Sequence, residues 1–272
     1  MHMLSIVDIK KELGNNIYIY PLNTNSIKSN SIDLRASRFA WSLNTKHSIY
    51  RNGVITIPKH DTALIYTQES IYVSRRIGGT YHSKVTLVAK GLGHISTTLD
   101  AQYIGSSIIA IHNTSDNDVE INEGDEFITL QFWYLHTPDY FQAQTHDNFP
   151  GHPSILDGYY DVKEYTDWQD RNLWTKRKDV LLNVMKDSDE YKQCKADLKR
   201  EINEFGRFKI NRWLLLVCIL AVNLVLLCTP AYFIACGSIS SVAKTIVEKI
   251  YCPLVVAIFA TIITLRIKGQ TK

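Results

Sequence analysis

Residues 96–113 read STTLDAQYIGSSIIAIHN, and their reading decides both the fold and the kind of function to look for. A polar turn carries a carboxylate, Asp100, then an aromatic, Tyr103, then Gly105. The run SSIIAIHN that follows has the short β-branched pattern of a strand. Two readings fit a glycine-bounded hairpin of this kind. In one, Asp100 only accepts turn hydrogen bonds and Tyr103 enters the core. In the other, the carboxylate serves a site. The choice separates an enzyme or a receptor from a scaffold.

Outward from this hairpin, the chain up to residue 136 reads as β. Short apolar or alternating runs recur, among them NIYIYPL, GVITIP, TALIYT, SKVTLVA and EFITLQFWYL. Asn52-Gly53, Pro58, Gly78-Gly79, Gly91, Gly93 and the stretch Asn122 to Asp125 punctuate them. Many short strands with regular turns predict a sandwich or a small barrel. Gly91 and Gly93 are either turn glycines or part of a phosphate loop. His94 and His112, near the hairpin, are either general bases or ordinary hydrogen-bonded sheet histidines.

The chain has 272 residues and a formal net charge of +3. That charge is small and spread over most of the chain, which argues against nucleic acid as a partner. The first residues, MHMLSIVDIKKELGNN, lack the long apolar core of a signal peptide, so the first domain is expected in the cytosol. Four of the five cysteines (Cys218, Cys228, Cys236, Cys252) lie in or beside apolar runs, and Cys194 sits alone on a polar helix. Without a C-x-x-C pair or zinc spacing, neither a structural metal nor a disulfide framework is expected.

Residues 137–166, rich in proline, glycine, aromatics and histidine, read as an ordered connector. His146, His152 and nearby acids are metal ligands or, more simply, loop hydrogen-bonding groups. Residues 167–210 read as one amphipathic helix. Leu181, Val184, Tyr191, Leu198, Ile202 and Phe205 form a heptad-like stripe that Ser188 and Lys195 interrupt, as a coiled-coil stalk or as a helix packed on its own domain. Residues 211–272 read as two transmembrane helices. The run from Trp213 to Cys236 contains no charge and is long enough to cross a hydrocarbon core of roughly 30 Å. Ile250 to Leu265 is a shorter second span. Arg207, Lys209 and Arg212 precede the first span, and Arg266, Lys268 and Lys272 follow the second. The positive-inside bias then puts the N-terminal domain and the C-terminus on the cytoplasmic side of a lipid bilayer. Asn223 and Pro230, inside the first span, suit helix association or rearrangement.

Four stretches, in order, carry a family resemblance: SIDLRA (31–36), YHSKVTLVAKGLG (81–93), STTLDAQYIGSSIIAIHN (96–113) and INEGDEFITLQF (121–132). Together they resemble the successive motifs of the dUTPase/dCTP deaminase superfamily, nearer to its deaminase-like branch. The resemblance covers about half the chain. It implies a mainly β fold, a dUTPase-like distorted β-barrel, here followed by a long α-helix and the two-helix transmembrane hairpin. It also implies a homotrimer with sites between subunits.

Carried over position by position, Asp100 is the catalytic candidate. It would contact the deoxyribose or orient an attacking water. Tyr103 would pack on the sugar, and Gly105 would let the backbone approach the base. Ser83, with Lys84 or His82, would contact phosphate, and Gln131 would stand in for the family's glutamine, whose own place holds Thr129. Asp33 would help hold a Mg²⁺-triphosphate, since Mg²⁺ prefers oxygen ligands.

The departures are equally specific. The family's deaminases carry a glutamate in a pattern like G-x-I-x-L-E-x-x-N. Aligning Gly105 and Asn113 puts Ala110 there, and alanine moves no proton. The arginine of the serine motif is absent, with Leu87 or Val88 near its place and Lys90 the closest cation. The glycine-rich C-terminal arm that closes dUTPase sites is missing. The resulting expectation is a membrane-anchored nucleotide-binding protein, a (deoxy)nucleotide sensor coupled to its membrane hairpin. The alternatives are a tethered dNTP pyrophosphatase or dCTP deaminase, and a scaffold that has lost its pocket.

Overall fold

A computed structural model describes residues 2–94, 96–138, 151, 153, 156, 158–204 and 249. The two expected membrane spans, the stripe residue Phe205, the cysteines beyond Cys194, and His146 and His152 lie outside the described residues. Among the described residues, no helix is long and apolar enough to cross a membrane. The chain divides into two compact units, Met1–Arg200 and Glu201–Lys272.

The first unit is mainly β, as expected. Its strands are β1 (His2–Met3), β2 (Ile17–Tyr20), β3 (Ser31–Ser42), β4 (Tyr50–Arg51), β5 (Val54–Ile57), β6 (Thr62–Val73), β7 (Ile77–Ser83), β8 (Leu92–His94), β9 (Thr98–Leu99), β10 (Ile104–Asn113), β11 (Val119–Asn122) and β12 (Glu126–Tyr134). Two short helices lie among them, α1 (Ile6–Glu12) and α2 (Val85–Val88). Helix α1 starts where Ser5 and Asp8 close a reciprocal capping box, and it ends in Lys10 and Lys11, which suit its negative end.

The main sheet runs β8-β10-β6-β3-β12-β7-β9, with β1 added beside β12 and β2 beside β6. A small second sheet, β11-β5-β4, has its own strand pairing, and its Ile55, Ile57 and Ile121 are buried in the same core cluster. Strands β8 and β9 begin and end the main order, yet only residues 95–97 separate them in the chain. The sheet therefore has to curl until its two edges meet. Bulges in β10 between Ser106 and Ile108 and in β3 between Ala36 and Ala40, both against β6, supply the bend. Strand β3 serves both sides of the curl. Ser31 to Arg35 pair with β12, and Ala36 to Ser42 with β6. The inside is apolar, with Ile19, Leu34, Ile65, Ile71, Phe127 and Phe132 fully buried.

The segment after the sheet differs from the single helix expected over 167–210. It is divided into α3 (Lys163–Arg171), a 3-10 turn (Leu173–Thr175), α4 (Lys178–Asp187) and a further helical stretch, 189–204. The breaks have local causes. Asn172 Nδ2 donates back to the Trp168 carbonyl at 2.8 Å, and the Thr175 hydroxyl donates to the Asn172 carbonyl at 2.8 Å. Ser188 ends α4 by donating to the Met185 carbonyl and accepts the Tyr191 N–H of the next helix.

These helices dock on the sheet. Leu181, Met185 and Cys194 are buried in the main core cluster. Lys195 Nζ donates to the last carbonyls of α1 at 2.7 and 3.2 Å. A Cβ on Gly14 would collide with the Tyr191 hydroxyl. Helix α3 covers a second apolar cluster on the outer side of β3 and β6, made by Phe39, Trp41, Tyr66, Leu156, Val162 and Tyr165. The Tyr66 and Tyr165 rings stack there, with centroids 3.9 Å apart.

Candidate functional site

In place of the expected hairpin, residues 98–105 form a β-turn between β9, which pairs with β7, and β10, which pairs with β6 and β8. The Tyr103 N–H donates to the Asp100 carbonyl at 3.2 Å, and Gln102 sits at φ 66°. That value is unusual for a residue with a side chain, and such outliers gather at ligand sites. Asp100 is exposed, and its Oδ1 accepts from the Thr98 hydroxyl at 3.1 Å. Tyr103 packs its ring against the core while its hydroxyl donates to the Ser106 carbonyl at 2.8 Å. Gly105, at φ 131°, pairs with Ile71 of β6.

Behind the turn lies a buried polar net. Ser106 and Ser70 share a 2.9 Å hydrogen bond, Tyr81 and Ser107 one of 2.5 Å, and the Ser107 N–H donates to Thr67 Oγ1 at 2.8 Å. Burial pushes the phenols of Tyr81 and Tyr103 well above their usual range, so both stay neutral.

The expected phosphate residues are placed apart from this turn. Leu99 pairs with Gly79, which sets Asp100 beside Gly78, five positions from Ser83 along β7. At about 3.3 Å per residue the two ends of the site are roughly 16 Å apart in one chain. His82 and Ser83 are consecutive strand residues, so their side chains leave opposite faces of the sheet. His82 lies opposite Thr129, and its Nε2 is 2.8 Å from the Thr80 hydroxyl. Gln131 lies between Thr80 and Ser31 on the same polar stripe across β7, β12 and β3.

Lys84 is engaged by carboxylates. Its Nζ lies 2.6 Å from Asp33 Oδ2 and 2.8 Å from Glu126 Oε2. Burial disfavours its charge, but those two hydrogen bonds outweigh it and leave the ammonium above its usual value. Asp33 is 5% exposed, and its other oxygen accepts from the Thr129 hydroxyl at 2.5 Å. With both oxygens engaged, Asp33 does not fit the role of a Mg²⁺ ligand. Among the described residues, no group of three or more His, Cys, Asp or Glu side chains is placed to hold a metal. Glu126 was absent from the sequence-based site. No motif spacing marks it, and it is the pairing of β12 with β7, Ile128 opposite Ser83, that brings it to Lys84.

Ser83 has a different partner. Its Oγ lies 2.6 Å from His94 Nδ1 and accepts the His94 backbone N–H at 3.3 Å. His94 Nε2 faces the Tyr81 carbonyl at 3.0 Å. This contact also joins β8 to β7, where the curled sheet meets itself. Burial pushes the His94 imidazole below its usual value; the Tyr81 carbonyl opposes that shift and nearby His82 adds to it.

Ala110 pairs with Leu64 of β6. Its face alternates with the buried Ile109 and Ile111 and is shared with Ile108, which packs with Leu64 against the second apolar cluster. The position where the resemblance expects a glutamate is therefore an apolar one.

The sequence profile of the dCTP deaminase-like family (DCD) matches residues 3–135. This segment is a dCTP deaminase-like domain. It is 26% identical over 130 residues to the dCTP deaminase of Pyrococcus horikoshii, covering 48% of this chain and 81% of that protein. It is 28% identical over 136 residues to the dCTP deaminase of Thermococcus kodakarensis, covering 50% and 85%. Among solved structures, a 2'-deoxycytidine 5'-triphosphate deaminase from Agrobacterium tumefaciens is similar with a TM-score of 0.42 and 12% identity, over 49% of this chain and 48% of that one. The chain thus spans about half the length of that structure. The dCTP deaminase-like domain ends where β12 ends, and the helices docked on it lie beyond the matched residues.

Proposed function

We propose that this chain binds a (deoxy)nucleotide through its dCTP deaminase-like domain without deaminating it. In this reading the domain is a sensor, and residues 211–272 form a two-span membrane hairpin that responds to the bound state, with both termini cytoplasmic. One observation carries the proposal: the Asp100–Tyr103–Gly105 turn is kept, with Gln102 held at φ 66°, while Ala110 stands among apolar side chains where proton transfer needs an acid. The reading includes the homotrimer that the family resemblance implies. Asp100 and Ser83 lie roughly 16 Å apart in one chain, and a neighbouring copy can place its turn beside this chain's Ser83. Mg²⁺ enters only as the counter-ion carried by the phosphates. A bound nucleotide moves the hairpin only to the extent that it binds two conformations differently.

Exposed Asp100, bonded through one oxygen to Thr98, also favours a second reading, hydrolysis of the triphosphate by an oriented water.

The full chain in detergent micelles, with Mg²⁺ and each common dNTP and NTP, separates these readings. Calorimetry reads binding, and chromatography reads products. Saturable binding of a nucleotide without product is the expected result. Monophosphate that disappears in Asp100→Ala replaces the sensor by a pyrophosphatase. Deaminated product makes it a deaminase whose acid–base group is not at residue 110. Neither heat nor product leaves a scaffold.

A further inference from the structure

Ser83 and His94 form a pair whose hydrogen-bond direction can be derived. The Tyr81 carbonyl only accepts, so His94 Nε2, 3.0 Å away, carries a hydrogen. In the neutral ring Nδ1 is then a lone pair, and it lies 2.6 Å from Ser83 Oγ. The Ser83 hydroxyl hydrogen is therefore directed at His94. A lone pair of the same oxygen is taken by the His94 backbone N–H at 3.3 Å. In this state Ser83 has no hydrogen to offer an anion. Protonation reverses the bond: Nδ1–H becomes a donor, Ser83 Oγ accepts from both His94 donors, and its own hydrogen is released toward solvent.

We propose that His94 is a positioning residue that lets Ser83 donate to a phosphate oxygen only when the ring is protonated, so that phosphate binding takes up one proton. The inference rests on Ser83 being a phosphate contact of the nucleotide reading. Of the groups around it, the His94 ring is the one seated on the Ser83 hydroxyl. On β7 the neighbours are Tyr81, held neutral by burial, and His82, bonded to Thr80. Beyond them Lys84 is neutralised by Asp33 and Glu126. On β10 the residue opposite is Ile111, with His112 beside it bonded to Thr62. Burial keeps His94 neutral near neutral pH, so an arriving anion has to supply the charge that protonates it.

The test uses the full chain in micelles, with dCTP and inorganic triphosphate as probes. Calorimetry in buffers of different ionisation enthalpy counts the protons taken up. His94→Asn is the informative variant, because its amide N–H can donate to Ser83 permanently. It also reports the ligand's own titration. Relative to His94→Asn, the wild type is expected to take up close to one proton, and its Kd to fall about tenfold from pH 8 to pH 7. Ser83→Ala loses this proton uptake. In the free wild-type protein, ¹⁵N spectra of the histidines are expected to show neutral His94 as the Nε2–H tautomer, a readout that does not depend on any variant folding. Binding with the same pH dependence in wild type and His94→Asn overturns this inference alone, as does the Nδ1–H tautomer. Absence of binding at every pH overturns the nucleotide reading and this inference with it.

Discussion

The sulfur of Met185 on α4 accepts the backbone N–H of Ile19 on β2 at 3.2 Å. An edge strand of the sheet thus gives a main-chain donor to a side chain 166 residues away, outside the dCTP deaminase-like segment. The helices after β12 complete the fold of the first unit.

A chain ending at Tyr165 is therefore expected to be unstable, since it loses Leu181, Met185, Cys194 and Leu198 from buried positions. A chain ending at Arg200 keeps them. Within the intact unit, Met185→Ala is expected to cost about 2–5 kcal/mol, and Met185→Leu less than about 1.5 kcal/mol. Urea denaturation of the Met1–Arg200 unit measures all of these. Equal midpoints for Met185→Ala and wild type would refute the docking.

Lys84→Met should cost about 3 kcal/mol, because it takes from the buried Asp33 carboxylate the ammonium at 2.6 Å and leaves it only the half-exposed Lys28 at 3.8 Å. The same cluster sets an acid limit. Burial alone would raise the Glu126 carboxyl. The Lys84 and Ser26 hydrogen bonds, with Lys28 nearby, instead hold it down at about 2, against an ordinary 4.5. A depressed folded value means that this stabilisation is complete above about pH 4.5 and is lost as the pH falls toward 2. Thermal melts between pH 3 and pH 7 should show the wild type losing more stability than Lys84→Met over that range. Parallel curves count against the cluster.

Gln102 occupies the left-handed region with a full side chain. Gln102→Gly is expected to stabilise the unit by about 0.5–1 kcal/mol, since relief of strain exceeds the added freedom of the unfolded chain. A lower melting temperature for the glycine variant would show that the turn is not strained as described.

Asp100 is exposed and has little to lose in the fold. Asp100→Ala should leave the melting temperature within about a degree, given a surface effect below about 0.5 kcal/mol. It should weaken nucleotide binding by about ten- to a hundredfold, the worth of one charged hydrogen bond of about 1.5–3 kcal/mol. A variant that binds as the wild type does removes Asp100 from the site.

Period-2 alternation and turn residues were enough to predict the β unit, and motif order was enough to predict its kinship, because both are local patterns. The absent acid at Ala110 was legible for the same reason. Helical character was legible as well, but neither its division nor its buried face was: Leu181 and Leu198 of the stripe are buried, Ile202 is exposed, and Met185 and Cys194 are buried outside it. The breaks come from side-chain to main-chain hydrogen bonds at Asn172 and Ser188, which compete with the helix and which a heptad stripe does not reveal.

For the site, the sequence by itself determined which side chains are available: Asp100 and Tyr103 on a turn, and Ser83 and Lys84 at the end of a strand. Only the tertiary structure decided what each of them does. It turned Lys84 inward to Asp33 and Glu126, set His82 and Ser83 on opposite faces, and brought His94 to Ser83. The reason is that partners are chosen by strand register. Asp33 meets Thr129 and Ser83 meets His94 because β3 lies beside β12 and the curled sheet closes at β8, relations that no spacing along the chain encodes.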